Sequence, residues 1–343
     1  MTKVVPLMSV IVPAYQAAAL LPDTLGALVG SDLRRDQWEL IVVDDASSDD
    51  TSAVAAKFAD RVLTLRGSPR GPGDARNAGA SVSQAVWVVF IDADVRVHSD
   101  TLSRIAESIQ RNPDVVAIFG SYDDSPNARG LVSQYRNLLH RYVHLRGAGD
   151  AETFWAGCGA VRRSAFAALN GFDTVRFPRP QIEDIELGYR LRDNGGRIVL
   201  DPAIQGTHLK KWTLWKMLRT DILDRGIPWM RLMLERRGRN RTSLNTGAAE
   251  QIKVLLAGAG AILLVVGIAG RLRTALLLGV ASLALLLLWN LPVLRFFARL
   301  RGVSFAAATV PLHLIHYGTS ALSATVGLVL HFSPAGRSMR VHR

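Results

Sequence analysis

An apolar run that ends in two aspartates, at residues 86–95, constrains the fold of this chain more than any other feature. Residues 86–91 show no alternation of polar and apolar side chains, which is typical of a strand buried on both faces. Asp92 and Asp94 follow at the carboxyl end, where open parallel sheets bind their ligands. Because they are two residues apart, their carboxylates point the same way in extended backbone and suit a divalent cation beside phosphates. Taken alone, the stretch fits a solvated turn equally well.

Strand, turn and helix patterns alternate before this run. The expected strands cover residues 9–12, 39–43 and 62–65. Each is followed by a polar or glycine-rich turn and a helical pattern, with Asp50 or Thr51 and then Asp74 as expected helix caps. Alternation of this kind predicts a parallel, three-layer α/β sheet with right-handed crossovers, in the Rossmann-like nucleotide-binding class.

The pattern after the two aspartates is less regular. We expect a helix capped by Ser99, a strand at 115–119 and a longer helix at 128–145. Residues 154–160 are too glycine-rich for a rigid strand, and they suit close approach of the backbone to a ligand. The helix expected at 183–191 has an acidic first turn, which the positive end of a helix dipole favours.

Charge is distributed unevenly along the chain. Residues 1–204 carry a net charge of −3, whereas residues 205–301 carry +12. Because the basic segment adjoins long apolar runs, we expect an anionic membrane surface as its partner rather than nucleic acid. The single cysteine, Cys158, excludes an intramolecular disulfide and suits a reducing compartment. The residues before Pro6 contain too few apolar side chains for a secretory signal.

The last third of the sequence predicts membrane association. Trp212, Trp215 and Arg219 recur at three- and four-residue spacing, as in an amphipathic helix at a membrane interface. Residues 252–270 and 274–291 are each long and apolar enough to span a bilayer.

A third apolar stretch, residues 303–332, is interrupted by Pro311 and two histidines, so one kinked span or a re-entrant helix pair is expected there. Arginines at 236–241 and 295–301 indicate a cytoplasmic side, but three spans would place the basic tail outside. The number of spans therefore stays open.

Seven sequence motifs occur in the first 210 residues or so. They are SVIVPAY (9–15), VDDASSDDT (43–51), ARNAG (75–79), FIDAD (90–94), AGCGA (156–160), GFD (171–173) and EDIELGYRL (183–191). In this order they resemble the family-2 glycosyltransferases, which are inverting enzymes of the GT-A fold that use nucleotide sugars. The expected domains are a GT-A domain at 1–208, basic interfacial helices at 209–250, a transmembrane region of two or three helices at 251–334 and a basic tail at 335–343.

The resemblance implies a nucleotide site. Residues expected to flank the base and ribose are Pro13, Ala14 and Tyr15. Asp44 or Asp45 would accept a hydrogen bond from the imide N–H of uracil, which makes a UDP sugar the expected donor. Arg76 would reach the nucleotide from the start of its helix.

The two aspartates of the opening stretch match the DxD pair of the family. By resemblance Asp92 lies nearer the ribose and both residues belong to the metal site, with Asp94 binding Mg²⁺ or Mn²⁺. His208 matches a position where relatives place a histidine beside the metal or diphosphate; a packing histidine is the alternative. The cation would stabilise the negative charge that develops on the departing nucleoside diphosphate.

The resemblance also assigns the acceptor side of the site. Asp184 would be the general base that removes the proton of the acceptor hydroxyl, and Glu183 and Glu186 would support it. The side chains and backbone expected to line the donor sugar or the acceptor edge belong to Trp155, Gly157, Cys158 and Gly159. Simple packing is the alternative for Cys158.

Processive members of the family carry a Gln-x-x-Arg-Trp motif, to which Arg225 and Trp229 bear only a partial likeness, since the glutamine is missing. Transfer of a single sugar to a lipid-linked or polyprenyl-phosphate acceptor is therefore the leading expectation. The alternatives are a processive polysaccharide synthase, a transferase acting on a soluble glycan, and a non-enzymatic nucleotide-sugar scaffold or sensor. We expect an integral protein of the cell membrane whose catalytic domain is cytoplasmic.

Overall fold

The computed structural model describes residues 5–236 and 246–333, and the chain divides into two compact units. The first unit comprises Met1–Ala128 and Val143–Lys210, and the second comprises Arg129–Tyr142 and Lys211–Arg343. The expected basic tail at 335–343 and all but the first arginine of the cluster at 236–241 lie outside the described residues.

The first unit is built on a mixed sheet of nine strands. The strands are β1 (Met8–Ala14), β2 (Trp38–Asp44), β3 (Arg61–Thr64), β4 (Trp87–Ile91), β5 (Val95–Val97), β6 (Val115–Tyr122), β7 (Gly149–Ala151), β8 (Cys158–Arg162) and β9 (Arg197–His208). Their order is β3-β2-β1-β4-β8-β6-β9-β5, and β7 also pairs with β9. Strands β1 to β4 are mutually parallel, as predicted, so the Rossmann-like α/β class is confirmed.

Helices accompany these strands along the chain. They are α1 (Leu21–Val29), α2 (Thr51–Ala55), α3 (Pro72–Val82), α4 (Thr101–Arg111), α5 (Leu131–Arg146), α6 (Arg163–Ala168) and α7 (Glu183–Asp193). Every residue of β1 and β4 is buried, in keeping with the unbroken apolar runs of the sequence. The opening stretch is therefore a central strand, and its carboxyl end carries Asp92.

The prediction of an all-parallel sheet is wrong beyond β4. Strand β8 pairs antiparallel with both β4 and β6. It begins inside residues 154–160, which the sequence analysis interprets as too glycine-rich for a rigid strand. The strand needs a glycine at position 159 because its neighbours are too close for a side chain. An added Cβ would lie 2.5 Å from the carbonyl oxygen of Trp155 and 2.7 Å from the ring of Phe154. A glycine at such a close approach marks packing as much as irregular backbone.

Several helix boundaries also differ from the prediction. Helix α4 begins at Thr101 rather than directly after Ser99. Helix α2 begins at Thr51, next to its expected cap, and is only five residues long. Helix α3 begins at Pro72, because the fixed φ of proline suits a first helical turn, and Asp74 lies inside that turn.

Helix α7 lies unusually close to neighbouring backbone, which leads to a first testable expectation. A Cβ added at Gly188 would lie 2.6 Å from the carbonyl carbon of Thr153. Since backbone cannot yield as a flexible side chain does, Gly188→Ala is expected to lower the free energy of unfolding by about 1–3 kcal/mol. Gly26→Ala in α1 is the matched control, because its nearest new neighbour is 4.0 Å away. Thermal unfolding of both variants measures the difference, and equal midpoints would contradict the close approach.

The second unit is helical in its described part. Besides a segment of α5 it contains α8 (Leu214–Arg219), a π-helical turn (Thr220–Gly226), α9 (Ile227–Glu235), α10 (Ala248–Ala269), α11 (Arg273–Trp289), α12 (Leu291–Arg301) and α13 (Val303–Phe332). Among the described helices, α10 alone has the length and apolarity to cross a membrane, with a mean hydropathy of 2.4. Helix α11 meets the same criterion only when joined to α12, across a bend of 56°.

Residues 303–332 form one continuous helix, α13, whose buried face is polar. The hydroxyl of Tyr135 lies 3.0 Å from Nδ1 of His313. The hydroxyl of Tyr317 donates to a carboxylate oxygen of Glu250 at 2.7 Å and lies 3.1 Å from Oδ1 of Asn290. These hydrogen bonds lie within the second unit, although Nε2 of His313 has no hydrogen-bond partner among the described residues.

Candidate active site

The two aspartates lie in a turn that closes the central strand β4. The backbone N–H of Asp92 donates to the carbonyl oxygen of Gly157 at 3.1 Å, and that of Val95 donates back to Asp92 at 3.0 Å. The carbonyl oxygen of Asp94 accepts from the N–H of Leu209 at 2.8 Å. Segments that are distant in sequence therefore hold this turn in place.

A buried arginine links this turn to the start of helix α7. Nη2 of Arg76 lies 2.6 Å from Oδ1 of Asp92, and Nη1 lies 3.0 Å from Oε1 of Glu183. The Arg76 side chain is only 5% exposed, and its guanidinium lies over the ring of Phe172. Burial alone would lower the pKa of Arg76, but the charges of Asp92 and Glu183 raise it above its ordinary value. The guanidinium therefore stays charged.

The same bridge affects the pKa of Asp92 and occupies one of its carboxylate oxygens. Desolvation raises the pKa of Asp92 above its ordinary value, although Arg76 opposes that shift, and the charge of Asp94 adds to it. Oδ1 of Asp92 is occupied by the guanidinium. Asp92 is thus paired with the guanidinium of Arg76, which distinguishes it from Asp94.

Asp94 lies beside His208, and these are two of the residues that the family resemblance assigns to the metal site. Oδ2 of Asp94 is 3.7 Å from Nε2 of His208. Burial would raise the pKa of Asp94, but the neighbouring imidazole of His208 and the charge of Lys210 lower it below its ordinary value. A carboxylate oxygen and an imidazole nitrogen are both donors that divalent Mn²⁺ accepts.

Within residues 5–236 and 246–333, no three His, Cys, Asp or Glu side chains surround a common point suited to a metal ion. The described chain thus offers two neighbouring donors, Asp94 and His208, rather than a complete set of protein ligands. These two fit a cation whose remaining ligands come from a bound phosphate or water, as is usual for Mg²⁺.

The predicted base, Asp184, lies in the first turn of α7 next to the arginine bridge. Its Oδ2 accepts from the backbone N–H of Ala156 at 3.2 Å, and its Oδ1 accepts from the N–H of Ile185 at 2.8 Å. Asp184 is partly exposed, whereas Glu183 is buried. The structure therefore brings the two acidic residues together but in different environments.

Glu186 is held by ion pairing further along the same helix. Arg190 contacts both carboxylate oxygens of Glu186 and donates to the carbonyl oxygens of Leu169 and Gly171. Glu186 thus holds Arg190 in place, and Arg190 fastens the helix to the turn at Leu169 and Gly171.

The predicted base-binding residues lie at the carboxyl ends of β1 and β2. Pro13 pairs with Val43 inside the sheet, and Ala14 accepts from the N–H of Asp45 at 2.8 Å. Tyr15, in contrast, is 52% exposed.

Both candidate base readers, Asp44 and Asp45, are buried. The carboxylate of Asp45 accepts from the backbone N–H groups of Arg70 and Gly71, the latter at 2.7 Å, and so fixes the loop before α3. Oδ1 of Asp44 accepts from the N–H of Ser47 at 3.0 Å. Neither contact distinguishes the two as the uracil acceptor.

The glycine-rich stretch at the start of β8 lies against Trp155. A Cβ added at Gly157 would come within 2.5 Å of the indole ring, so only glycine fits under it. Cys158 is fully buried and packs in the same apolar core as Val89 and Ile91. The structure therefore places the Cys158 side chain in the core rather than on the site surface.

The burial of Cys158 gives a second testable expectation. Desolvation raises the pKa of its thiol to about 12, with a further contribution from the charge of Asp92. Because the thiolate is the reactive form, the folded protein is expected not to react with iodoacetamide at pH 8 and to become labelled only in urea. Mass spectrometry of the intact chain measures this. Rapid labelling under native conditions would contradict the buried environment.

Two predicted residues lie in the second unit: Arg225 in the π-helical turn and Trp229 in α9. Their part in nucleotide binding stays a prediction.

The sequence reasoning missed the role of Asn77. Its Nδ2 donates to the carbonyl oxygen of Phe172 and its Oδ1 accepts from the N–H of Phe172, both at 2.9 Å. Gly171, with φ of +68°, makes the turn that permits this. Asn77 thus fastens the turn that carries Phe172, which packs under Arg76. Both motifs were visible in the sequence, but the bond between them was not.

Residues 9–169 match the sequence profile of the family described as Glycosyl transferase family 2. This segment is a family-2 glycosyltransferase domain. Among solved structures, a mannosyltransferase from Pyrobaculum calidifontis in complex with GDP-Man and Mn²⁺ has a TM-score of 0.57 at 20% identity, covering 96% of this chain and 87% of that one. At that identity the likeness shows the shared fold.

Two curated relatives of the family-2 domain are enzymes of sugar transfer. A poly(ribitol-phosphate) β-N-acetylglucosaminyltransferase, TarS of Staphylococcus aureus, is 31% identical over 115 residues, which cover 32% of this chain and 20% of that protein. Validoxylamine A glucosyltransferase of Streptomyces hygroscopicus is 29% identical over 231 residues, which cover 57% and 53%. The chain thus spans about half or less of the length of these relatives.

Proposed function

We propose that this protein is a metal-dependent inverting glycosyltransferase that moves one sugar from a UDP sugar to a lipid or polyprenyl-phosphate acceptor held at a membrane. The observation that carries the proposal is the bridge made by Arg76 between Asp92 and Glu183. The buried guanidinium of Arg76 connects the end of β4, which is followed by the DxD pair, to the start of α7, which carries Asp184. In this proposal the bridge would hold the leaving-group side and the acceptor side of a transfer site in a fixed relation.

Asp94 and His208 would hold the divalent cation, Mg²⁺ or Mn²⁺. When bound, the cation supplies electrostatic stabilisation to the negative charge that develops on the departing diphosphate. Lys210, whose charge also acts on Asp94, adds positive potential at the same end of the site. Asp92, held by Arg76, would orient the ribose side of the donor. A mannosyltransferase of similar fold occurs in complex with GDP-Man and Mn²⁺, which supports a nucleotide sugar and a divalent cation as ligands.

Asp184 would take the proton of the acceptor hydroxyl as that oxygen attacks the anomeric carbon. Backbone donors at Ala156 and Ile185 orient its carboxylate, and its partial exposure leaves it accessible to a substrate. General base catalysis requires a carboxylate positioned in this way. A polyprenyl phosphate is already ionised, so a smaller contribution from Asp184 is expected with that acceptor.

The uridine specificity rests on Asp44 and Asp45, one of which would accept the uracil imide N–H. A nucleotide of different base would present other donors to the same carboxylates. Donor panels should therefore include GDP sugars beside UDP sugars.

The membrane-held acceptor is supported by the second unit. Helix α10 exposes large apolar side chains, among them Leu255, Ile262 and Val265, each at least 65% exposed. The segment 205–301 carries a net charge of +12, which suits an anionic membrane surface. This combination supports our proposal of an integral protein of the cell membrane with a cytoplasmic catalytic domain.

The experiment that tests the function uses the full chain in detergent. It is incubated with a panel of UDP and GDP sugars and native lipid extract, with Mn²⁺ or with EDTA, and the products are identified by mass spectrometry. We expect a glycolipid from one donor, formed only with the cation. Absence of any cation-dependent transfer across the panel would contradict the proposed function, whereas transfer to water-soluble glycans alone would contradict the lipid acceptor.

A further inference from the structure

A column of three aromatic rings ends at the imidazole of His208. The ring of Tyr122 stacks on that imidazole with centroids 4.3 Å apart and planes inclined by 17°. The indole of Trp155 contacts the Tyr122 ring edge-on, with centroids 4.8 Å apart and planes inclined by 76°. None of the seven sequence motifs includes Tyr122, which ends strand β6.

The strand pairing explains why the rings meet. Tyr122 pairs with Gly206 across β6 and β9, so His208 is its diagonal neighbour two residues along the partner strand. The two strands are parallel, and residues two apart along a strand point to the same face, so Tyr122 and His208 share one face of the sheet. Both side chains are buried, with 9% of Tyr122 and 6% of His208 exposed. The imidazole is therefore held by a flat surface and cannot turn freely.

The column also reaches the acceptor side of the site. The indole of Trp155 covers Gly157. Ala156, which lies between these two residues, donates its backbone N–H to Asp184 at 3.2 Å. At the other end Nε2 of His208 is 3.7 Å from Oδ2 of Asp94. A continuous path of packed groups thus joins the carboxylate proposed as base to the pair proposed to hold the cation.

We propose that Tyr122 is a positioning residue, which fixes the plane of the His208 imidazole beside Asp94 and so sets the affinity of the site for a divalent cation. This inference rests on the proposed function, because it assumes that Asp94 and His208 hold the cation. Tyr122 itself touches neither cation nor substrate in this scheme. Groups that orient a metal-binding histidine generally affect metal affinity by about 10–100-fold when removed.

The test measures binding of Mn²⁺ alone and of Mn²⁺ with UDP, by electron paramagnetic resonance, on the full chain in detergent. Tyr122→Leu removes the flat ring and is expected to weaken Mn²⁺ binding by about 10-fold or more. Tyr122→Phe keeps the ring and is expected to bind within about 2-fold of the wild type, since stacking does not need the hydroxyl. Trp38→Leu, which removes a buried aromatic residue at the amino end of β2, is the matched control for general loosening.

A double-mutant cycle separates positioning from mere packing. In a His208→Ala background, Tyr122→Leu is expected to have no further effect on Mn²⁺ binding, because the imidazole that it orients is gone. Equal loss in both backgrounds would overturn the inference, as would a folded Tyr122→Leu protein that binds Mn²⁺ like the wild type. If the wild type itself does not bind Mn²⁺ with UDP, the proposed cation site fails and this inference fails with it. If the wild type binds Mn²⁺ and Tyr122→Leu binds it equally well, only the role proposed for Tyr122 fails.

Discussion

Replacement of Asp184 by asparagine is expected to lower the rate of sugar transfer to a hydroxyl acceptor by about 10²–10⁴-fold. Asparagine keeps the shape of the side chain and can still accept from the N–H of Ala156, but it cannot take the acceptor proton. Binding of UDP should change little, because Asp184 lies outside the predicted nucleotide contacts. Initial rates with saturating donor, and calorimetric binding of UDP, measure the two quantities separately.

Asp193→Asn is the matched control, since Asp193 is exposed at the far end of the same helix. It removes one carboxylate from α7 without touching the site, and we expect unchanged rates. Full transfer by Asp184→Asn with normal UDP binding would show that another group serves as base. A mild loss confined to polyprenyl-phosphate acceptors would instead identify an acceptor that is already ionised.

Loss of the Arg76 charge is expected to have the largest effect on stability. Arg76→Met leaves the buried carboxylate of Glu183 and the partly buried carboxylate of Asp92 without their shared counter-charge. Removing one partner of a buried ion pair typically costs about 3–5 kcal/mol, and this arginine serves two acids. Arg76→Lys keeps the charge but cannot reach both acids with a planar fork, so an intermediate loss is expected.

Thermal unfolding and UDP binding measure the effect of the Arg76 variants. Arg96→Met, on the exposed face of β5, is the control for loss of one positive charge. We expect its unfolding midpoint to stay near that of the wild type, since exposed charges contribute little. If Arg76→Met unfolds at the same temperature as Arg96→Met, the bridge does not hold the two halves of the site together.

The parts of the fold that the sequence predicts best are those with local signals. The run at 86–91 is apolar on both faces and appears as β4, with only Val86 left outside the strand. Strands β8 and β9 were missed because their evidence is not local. Strand β8 contains Gly159, and a glycine there indicates a loop unless its close neighbours in the fold are known. Strand β9 contains Pro202, which is typical of a strand end rather than a strand interior.

The site residues could be listed from the sequence, but their pairing could not. Asp92 and Asp94 look equivalent in the motif, yet Arg76 engages the first and His208 lies beside the second. Arg76 and Glu183 are 107 residues apart, so no spacing rule connects them. Tyr122 carries no motif at all, and its contact with His208 depends on the register of two strands. Such pairings are properties of the folded chain rather than of its patterns.

The most direct test of the central claim is the anomeric configuration of the transfer product. Direct attack by an acceptor activated at Asp184, on the face of the sugar opposite the diphosphate, requires inversion at the anomeric carbon. With an α-linked UDP sugar and Mn²⁺, proton NMR of the isolated product is therefore expected to show a β-linkage. A retained α-linkage, or no product from any donor in the presence of the cation, would contradict the account.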